Sequence, residues 1–150
     1  MKVVVQRVSE ASVTIEGNVK SKISLGLLVL VGFEESDTDE DIEWMSNKLV
    51  SLRIFSDENG QMNLSVKDVS GDIIIVSQFT LYALTKKGNR PSFIKAAKPE
   101  IAIPLYEKFV ARVSNDLGKP VGTGAFGADM KVALINDGPV TIVIDSKSKE

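Results

Sequence analysis

The segment ALINDGPVTIVIDS, residues 133–146, reads as a buried β-strand at both ends but carries Gly138-Pro139 in its middle. Proline cannot donate a hydrogen bond to a sheet, and glycine weakens the interior of a strand. The pattern therefore predicts two strands, ADMKVALIND and PVTIVID, separated by the Gly-Pro pair. Taken alone, it favours an ordinary hairpin turn through Asn136, Asp137, Gly138 and Pro139, and a cis bond that marks an enforced tight turn is the alternative.

The residues before this segment show the spacing of further strands and helices. Continuous or alternating apolar runs predict strands, and apolar residues at three- and four-residue spacing predict amphipathic helices. The predicted elements are KVVVQRV, a hairpin around Gly17-Asn18, the doubly buried strand LGLLVLVGF, a helix from Thr38 to Ser51, two short strands around Asn59-Gly60, the strand GDIIIVSQFTL, and a helix from Pro99 or Ile103 to Leu117.

This order of elements indicates the fold class. Strand hairpins outnumber strand-helix-strand crossovers, so a doubly wound parallel sheet is not expected. We predict an α/β protein of the α+β type, with mainly antiparallel or mixed β-sheets packed as a sandwich or barrel-like core and two main helices on one face. Residues 1–145 are predicted to form a single domain, and residues 146–150 a polar C-terminal tail.

The composition excludes several kinds of catalytic site. The 150 residues include no cysteine and no histidine, which removes thiolate nucleophiles, Ser-His and Cys-His catalysis and the usual zinc sites. An enzyme built from this chain must use hydroxyls, carboxylates, lysines, backbone dipoles or groups of its substrate. No apolar run approaches the ~20 residues of a membrane span, and the N-terminus is too polar for a signal peptide. We therefore expect a cytoplasmic protein.

The charge is unevenly distributed along the chain. The net charge is −2 and the isoelectric point about 5.3, which argues against a general nucleic-acid binder. The segment TKKGNRPSFIKAAK, residues 85–98, nevertheless holds five basic residues and no acidic one. Such a cluster could contact phosphates, but on composition alone a solvated loop is the favoured interpretation. The acidic run from Glu34 to Glu43 is interpreted as the solvated start of a helix, and no metal site is predicted.

Two further segments are candidates for chemistry. Ser77, Gln78 and Thr80 follow the apolar strand 73–76, and polar groups at the end of a buried strand are well placed to face a pocket. The alternative is that they are ordinary, satisfied turn residues. The segment TGAFGADM presents Phe126 among glycines. Its ring could stack on a base, whereas a plug at the edge of the core is favoured by default.

Several strings in this chain, taken together and in order, resemble one enzyme family. SQFTL (Ser77 to Leu81) and NDGPVT (Asn136 to Thr141) are similar to the two signature motifs of the D-aminoacyl-tRNA deacylases. The resemblance extends through QRV, RIFSDENGQMNLSV, KGNRPSF and TGAFGADM, so that it covers nearly the full chain.

The resemblance implies a cytoplasmic homodimer that hydrolyses the ester between a D-amino acid, or misattached glycine, and tRNA. It implies no cofactor, no metal, no membrane and no DNA. In the family the Gly-Pro bond is cis, and its carbonyls reach into the partner subunit's site and exclude L side chains. The roles that it implies are catalysis for Ser77, Gln78, Phe79 and Thr80, substrate binding for Gly138, Pro139, Asn136, Arg7, Phe126 and Met130, and contacts with the RNA backbone for Lys86, Lys87 and Arg90.

The resemblance also ranks the possible mechanisms and functions. The 2′-hydroxyl of the terminal ribose is expected to assist the reaction. Thr80 as a nucleophile is the competing mechanism, and it ranks lower because no base in the chain is available to activate it. Two other functions stay open: a non-catalytic dimeric module that binds the tRNA acceptor end, and a small-ester or amide hydrolase without an RNA partner.

Overall fold

A computed structural model describes all residues from Met1 to Glu150. Eight strands, two α-helices and a one-turn 3-10 helix make up the chain. In order they are β1 (Lys2–Ile15), β2 (Asn18–Ile23), β3 (Gly26–Gly32), α1 (Asp39–Ser51), β4 (Phe55–Ser56), β5 (Met62–Leu64), β6 (Asp72–Ser77), the 3-10 helix (Phe79–Tyr82), α2 (Pro99–Leu117), β7 (Gly122–Thr123) and β8 (Lys131–Asp145).

The main sheet is mixed and almost closes on itself. Its order is β2-β1-β3-β6-β7, and β8 also pairs with β1. The pairs that β1 forms are antiparallel, whereas β3–β6 and β6–β7 are parallel. The Ser21 hydroxyl links the two ends of this order, since it donates to the Thr123 carbonyl (2.6 Å) and accepts the Thr123 N–H (3.0 Å). The predicted mixed, barrel-like architecture is confirmed.

The sheet has apolar side chains on both faces. One cluster joins both helices to the sheet through Val3, Val29 and Ile75, and a second cluster on the opposite face contains Val8, Leu28 and Ile74. Alternate residues of β3 and β6 enter different clusters, as expected of strands that are buried on both faces. The prediction of a doubly buried strand at LGLLVLVGF is therefore correct.

The helices begin and end where the sequence indicates. Thr38 precedes α1, and its N–H donates to the Asp41 carboxylate (2.9 Å). α2 begins at Pro99 and ends before Gly118, whose φ of 87° is a left-handed conformation that glycine adopts without steric cost. Of the two predicted starts, Pro99 is correct and Ile103 is wrong, because α2 continues without interruption through Ile103 and Pro104.

The predicted hairpin at Gly138-Pro139 is wrong. The residues on both sides of this pair belong to β8, and both pair with β1 in the same antiparallel direction. Asn136 lies opposite Val8, and Thr141 lies opposite Gln6. The intervening residues, Asp137–Val140, face only Arg7 and bulge out of the ladder. We call them the β8 bulge, and the Gly138-Pro139 peptide bond within it is cis.

The two ends of the chain are joined by a buried polar network. The Met1 ammonium group donates to Asp37 and to the Ser146 hydroxyl (2.9 Å). Ser146 in turn donates to Asp41 (2.7 Å), and the Lys147 ammonium group also donates to Asp41 (2.9 Å). Ser146 is buried. The folded structure thus includes the first two residues of the segment that composition predicts to be a polar tail.

Asp41 should make the stability of this network depend on pH. Burial alone would raise the pKa of Asp41, but hydrogen bonds from Lys147, Ser146 and the Thr38 N–H outweigh it and hold that pKa well below its ordinary value. A carboxyl group of this kind stabilises the fold above its unfolded pKa of about 3.9, and the contribution is lost as the pH falls through the folded pKa. We expect Asp41→Asn to lower the free energy of unfolding by about 2 kcal/mol near neutral pH.

Urea unfolding of both proteins between pH 7 and pH 2 measures this difference, which should shrink below about pH 4. The Asp41 charge contributes to the raised pKa of Asp37, so the measured difference includes the response of Asp37 to the substitution. Asp39→Asn is the matched control, because Asp39 is an exposed carboxylate in the same helical turn, and it should leave stability almost unchanged. A difference between wild type and Asp41→Asn that stays constant across the range would contradict the assignment.

Candidate functional site

The Ser77–Thr80 motif lies where β6 leaves the sheet. The carboxyl ends of parallel β3 and β6 lie at the same edge, with Val31 paired to Ser77. The Gln78 N–H still donates to the Val31 carbonyl (2.7 Å), and the chain then turns into the 3-10 helix. The motif therefore begins at the last residue pair of the β3–β6 ladder and continues into a tight, exposed turn. The ladder and the turn together fix the direction of its polar groups.

The turn leaves two backbone donors unused within it. Its first hydrogen bond runs from the Leu81 N–H to the Gln78 carbonyl (3.2 Å), so the N–H groups of Phe79 and Thr80 precede the hydrogen-bonded part of the turn. Both residues are exposed. The Gln78 side-chain amide donates to the Thr80 hydroxyl oxygen (2.5 Å). The turn thus presents two adjacent N–H donors and a hydroxyl whose orientation is set by an amide.

Phe93 is a neighbour of this turn that the sequence did not single out. The rings of Phe79 and Phe93 pack edge to face, with centroids 5.2 Å apart, although 54% of Phe79 and 36% of Phe93 remain exposed. Paired backbone hydrogen bonds between Leu84 and Ser92 (2.7 and 3.0 Å) hold Phe93 at the end of a loop. The signals for Phe93 in the sequence are its position inside a basic segment and inside KGNRPSF, one of the strings that carry the family resemblance.

The predicted RNA-contacting residues lie in this same loop. Lys86, Lys87 and Arg90 are all exposed and fall between the bonded residues Leu84 and Ser92. The structure therefore places three positive charges on a loop whose base touches the exposed turn through a pair of aromatic rings. These charges have no acidic partner within 4 Å.

Phe126 and Met130 are anchored to the protein interior. The Phe126 ring packs against Tyr106, with centroids 6.3 Å apart, and the Tyr106 hydroxyl donates to the Ile75 carbonyl (2.7 Å). Burial raises the pKa of Tyr106 to about 12. Phe126 packs on the helix-side cluster and Met130 on the opposite one, and both are half-buried. The interpretation of Phe126 as a plug at the core edge is thus compatible with a partly exposed ring.

Two side chains hold the β8 bulge. Arg7 donates through Nε to the Asp137 carbonyl (2.7 Å) and through Nη1 to the Ile54 carbonyl (2.7 Å). The Asn136 side chain accepts the Val140 N–H (2.7 Å) and donates to the Thr141 hydroxyl (2.8 Å). The bulge is therefore exposed at its tip and fixed at its base.

Gly138 is required by the shape of the bulge. Its φ of +147° lies in a region that L side chains rarely adopt. A Cβ atom at this position would lie 2.8 Å from the Val140 Cγ2 and 3.1 Å from the Arg7 Nη2. Glycine is thus needed both for its backbone conformation and for the close approach of Arg7.

The structure does not bring the two motifs together within one chain. The bulge faces Arg7, which is level with Leu27 on β3 and with Ile73 on β6, whereas Ser77 lies four residues further along β6. That offset is about 13 Å along the strands, and three strand spacings add about 14 Å across the sheet. Gly138, Pro139, Asn136 and Arg7 therefore form one group in the middle of the β1–β8 ladder, and Ser77–Thr80 forms another at the carboxyl end of β6.

A concave space beside the end of β8 also leaves the two groups separate. A cleft of about 660 Å³ lies between Trp44 of α1 and the end of β8, and it is lined by Leu81 and Val143 but by neither Thr80 nor Gly138. No group of three or more acidic, histidine or cysteine side chains is arranged to hold a metal ion. None of the helices has the length and apolar character needed to cross a membrane.

Comparisons with known proteins agree on one family. The model of the D-Tyr-tRNA(Tyr) deacylase family matches residues 4–145. Proteins called D-aminoacyl-tRNA deacylase from Flavobacterium psychrophilum and Bacteroides thetaiotaomicron are 69% and 65% identical over 150 residues, which is 100% of each chain.

Solved structures agree with the fold. The c-Myc DNA Unwinding Element Binding Protein superimposes with a TM-score of 0.89 at 42% identity, covering 97% of this chain and 98% of that one. A probable eukaryotic D-amino acid tRNA deacylase superimposes with a TM-score of 0.84 at 19% identity, covering 95% and 97%, and it supports the fold alone. The resemblance that the motifs indicate is confirmed: the chain is an enzyme of the hydrolase class and belongs to the D-Tyr-tRNA(Tyr) deacylase family.

Proposed function

We propose that this protein is a cytoplasmic homodimer that hydrolyses the ester between D-amino acids, or mischarged glycine, and tRNA, and that it rejects L-amino acids sterically. The observation that carries the proposal is the exposed β8 bulge, which hydrogen bonds hold in the β1–β8 ladder at a distance from the Ser77–Thr80 turn of the same chain. The relatives named D-aminoacyl-tRNA deacylase support the substrate class.

A second copy of the chain would supply what one copy lacks. β8 pairs only with β1, so it is an edge strand with an unused row of backbone groups. It also exposes apolar side chains, with 71% of Val143 and 53% of Ile135 accessible. An exposed apolar edge of this kind favours association with another copy. Symmetric pairing would let the β8 bulge of one subunit reach the Ser77–Thr80 turn of its partner.

Rejection of L-amino acids by a backbone wall fits the chemistry of the bulge. Side-chain pockets gain only about 1–3 kcal/mol per methylene, so affinity alone gives weak discrimination between enantiomers. Carbonyl groups at Gly138 and Pro139 that cannot move would collide with the substituent of one enantiomer and leave the other free. Such a filter tolerates many D side chains, and glycine has no side chain to exclude.

The reaction site would act mainly through the backbone. The N–H groups of Phe79 and Thr80 are suited to stabilise the oxyanion that forms when water attacks the ester carbonyl. Ser77 and Gln78 would line this site. The Thr80 hydroxyl accepts a hydrogen bond from the Gln78 amide and donates none to a base, which disfavours its activation as a nucleophile. The 2′-hydroxyl beside the ester would instead activate the water.

The RNA would be held on both sides of this turn. Lys86, Lys87 and Arg90 are available for phosphates of the acceptor end, and neutralising each phosphate adds salt-dependent affinity. Phe126 and Met130 would contact the terminal adenosine, and Tyr106 packs against the Phe126 ring.

Separate incubation with D-Tyr-tRNA and L-Tyr-tRNA tests the function directly. We expect hydrolysis of the D form alone. Binding without hydrolysis would indicate the non-catalytic tRNA-binding module, and indifference to tRNA would indicate a small-ester hydrolase. Gly138→Ala should lower the ratio of kcat/KM for D over L by tenfold or more, about 1.4 kcal/mol, because its Cβ displaces Val140 or Arg7.

Gly17→Ala is the matched control for this substitution. Gly17 also has a positive φ, of 78°, but a Cβ atom there meets nothing within 4 Å, and it lies in the β1–β2 turn. It should keep the wild-type ratio. Unchanged selectivity in Gly138→Ala would refute the role of the bulge as a chiral filter.

The source of the catalytic base can be tested with one variant and one substrate. Thr80→Ala should retain a single-turnover rate of the same order as wild type. A D-aminoacyl-tRNA that ends in 2′-deoxyribose should react about 10²–10⁴-fold more slowly, the usual contribution of a positioned general base. Thr80→Ser serves as the control that keeps a hydroxyl. An inactive Thr80→Ala that Thr80→Ser rescues, with normal turnover of the deoxy substrate, would assign the nucleophile to Thr80.

We expect Arg7 to contribute both to the free energy of unfolding and to the selectivity for D over L substrates. Arg7→Ala removes a cation that donates to two carbonyls and should lower the free energy of unfolding by about 2 kcal/mol. Arg7→Lys should restore little, because an ammonium group cannot reproduce the planar fork of donors. The control is Arg53→Ala, since Arg53 donates in the same way to Asn63 on an exposed hairpin. Equal D-over-L ratios in Arg7→Ala and Arg53→Ala would contradict this role.

A further inference from the structure

Asn136 lies at the point where β8 leaves its ladder with β1. It is the last residue paired before the β8 bulge, opposite Val8, and Thr141 is the first residue paired after it, opposite Gln6. The Asn136 side chain spans this gap. It bonds to the Val140 N–H (2.7 Å), to the Thr141 hydroxyl (2.8 Å) and, at 3.4 Å, to the Val140 carbonyl.

The direction of these bonds is fixed by the chemistry of the groups. A backbone N–H can only donate, so the atom of Asn136 that meets the Val140 N–H must be the acceptor Oδ1. The amide nitrogen then points toward Thr141 and donates to its hydroxyl. Both ends of the side-chain amide are thus engaged within the loop.

We infer that Asn136 is a positioning residue that closes the base of the β8 bulge and thereby sets the selectivity for D over L substrates, without contacting the substrate. This inference rests on the proposed function. Arg7 holds the Asp137 carbonyl from the neighbouring strand, whereas Asn136 joins the two ends of the bulge from within β8. Without the Asn136 side chain, only the hydrogen bond from Arg7 would hold the bulge around Gly138 and Pro139.

The test compares three substitutions by their kcat/KM for D-Tyr-tRNA and L-Tyr-tRNA. Asn136→Leu keeps the approximate shape of the side chain but loses every hydrogen bond, and it should lower the D-over-L ratio by tenfold or more. Asn136→Asp should restore most of the ratio, because its carboxylate still accepts the Val140 N–H and the Thr141 hydroxyl can rotate to donate to it. Thr141→Val removes one bond only and should give an intermediate ratio.

Asn63→Leu is the matched control. The Asn63 side chain also accepts and donates within a short turn, from Arg53 (2.9 Å) and to Asp57 (2.9 Å), but it lies in the β4–β5 hairpin. It should leave the D-over-L ratio at the wild-type value. If Asn136→Leu does not fold, Asn136→Asp is compared with Thr141→Val. A D-over-L ratio near wild type in the first variant and a lower ratio in the second support the positioning role, and equal ratios contradict it.

The outcomes separate the inference from the function on which it rests. A wild-type ratio in Asn136→Leu, or a KM raised equally for both substrates, would overturn the positioning role and assign Asn136 no role or a substrate contact. Gly138→Ala, measured in parallel, probes the filter itself. If Gly138→Ala relaxes selectivity and Asn136→Leu does not, only the inference fails, whereas wild-type ratios in both variants reject the filter.

Discussion

The antiparallel pairing of β8 with β1 is the constraint on which the rest of this structure depends. β1 pairs with β2, β3 and β8 and so holds three strands of the mixed sheet together. β8 follows it on both sides of Arg7 but has more residues than this stretch of β1 can pair. Because the ladder is fixed at Val8 and at Gln6, the surplus residues must leave the sheet. The β8 bulge is therefore a consequence of register, and the conformation that glycine allows at position 138 makes its turn possible.

A bulge of this kind exposes backbone groups that a strand would hide. Buried carbonyls must find partners in the ladder, in side chains or in water. Here the Asp137 carbonyl is taken by Arg7, and the Val140 N–H is taken by Asn136. Gly138 and Pro139 at the tip are exposed, so their carbonyls remain available to another molecule. The same two hydrogen bonds that hold the base of the bulge thus leave its tip exposed, as the proposed selection by shape requires.

Much of this architecture follows from patterns in the sequence. Apolar spacing placed α1 from Thr38 and α2 up to Leu117, and the motif order indicated the family. The sequence could not show that both parts of β8 pair with one strand, since a hairpin and a bulge use the same Gly-Pro signal. Nor could it show the contact between Phe79 and Phe93, because that contact depends on how a polar loop folds back across the turn.

The burial of the chain ends is another feature that the sequence alone could not show. Composition marks residues 146–150 as polar and therefore as a tail. Ser146 and Lys147 are nevertheless ordered by Asp41 and by the Met1 ammonium group, because β8 ends beside the start of β1. Polar residues are excluded from an interior only when they lack partners. Which partners exist is decided by the pairing of strands that are far apart in the sequence.

Because the two motifs are separate within one chain, the proposed dimer would gain its activity and its selectivity in the same step, at assembly. A chain that carried the reactive turn and the filter side by side could keep its activity after the filter became disordered, and it would then hydrolyse correct L-aminoacyl esters. In the proposed arrangement the filter at Gly138 reaches the turn at Thr80 only from the partner subunit. The contacts that order β8 at the subunit interface would then also place the filter, so assembly would establish activity and selectivity together. A site without histidine or cysteine suits this arrangement, because neither of its two parts carries a strong base or nucleophile that could act alone.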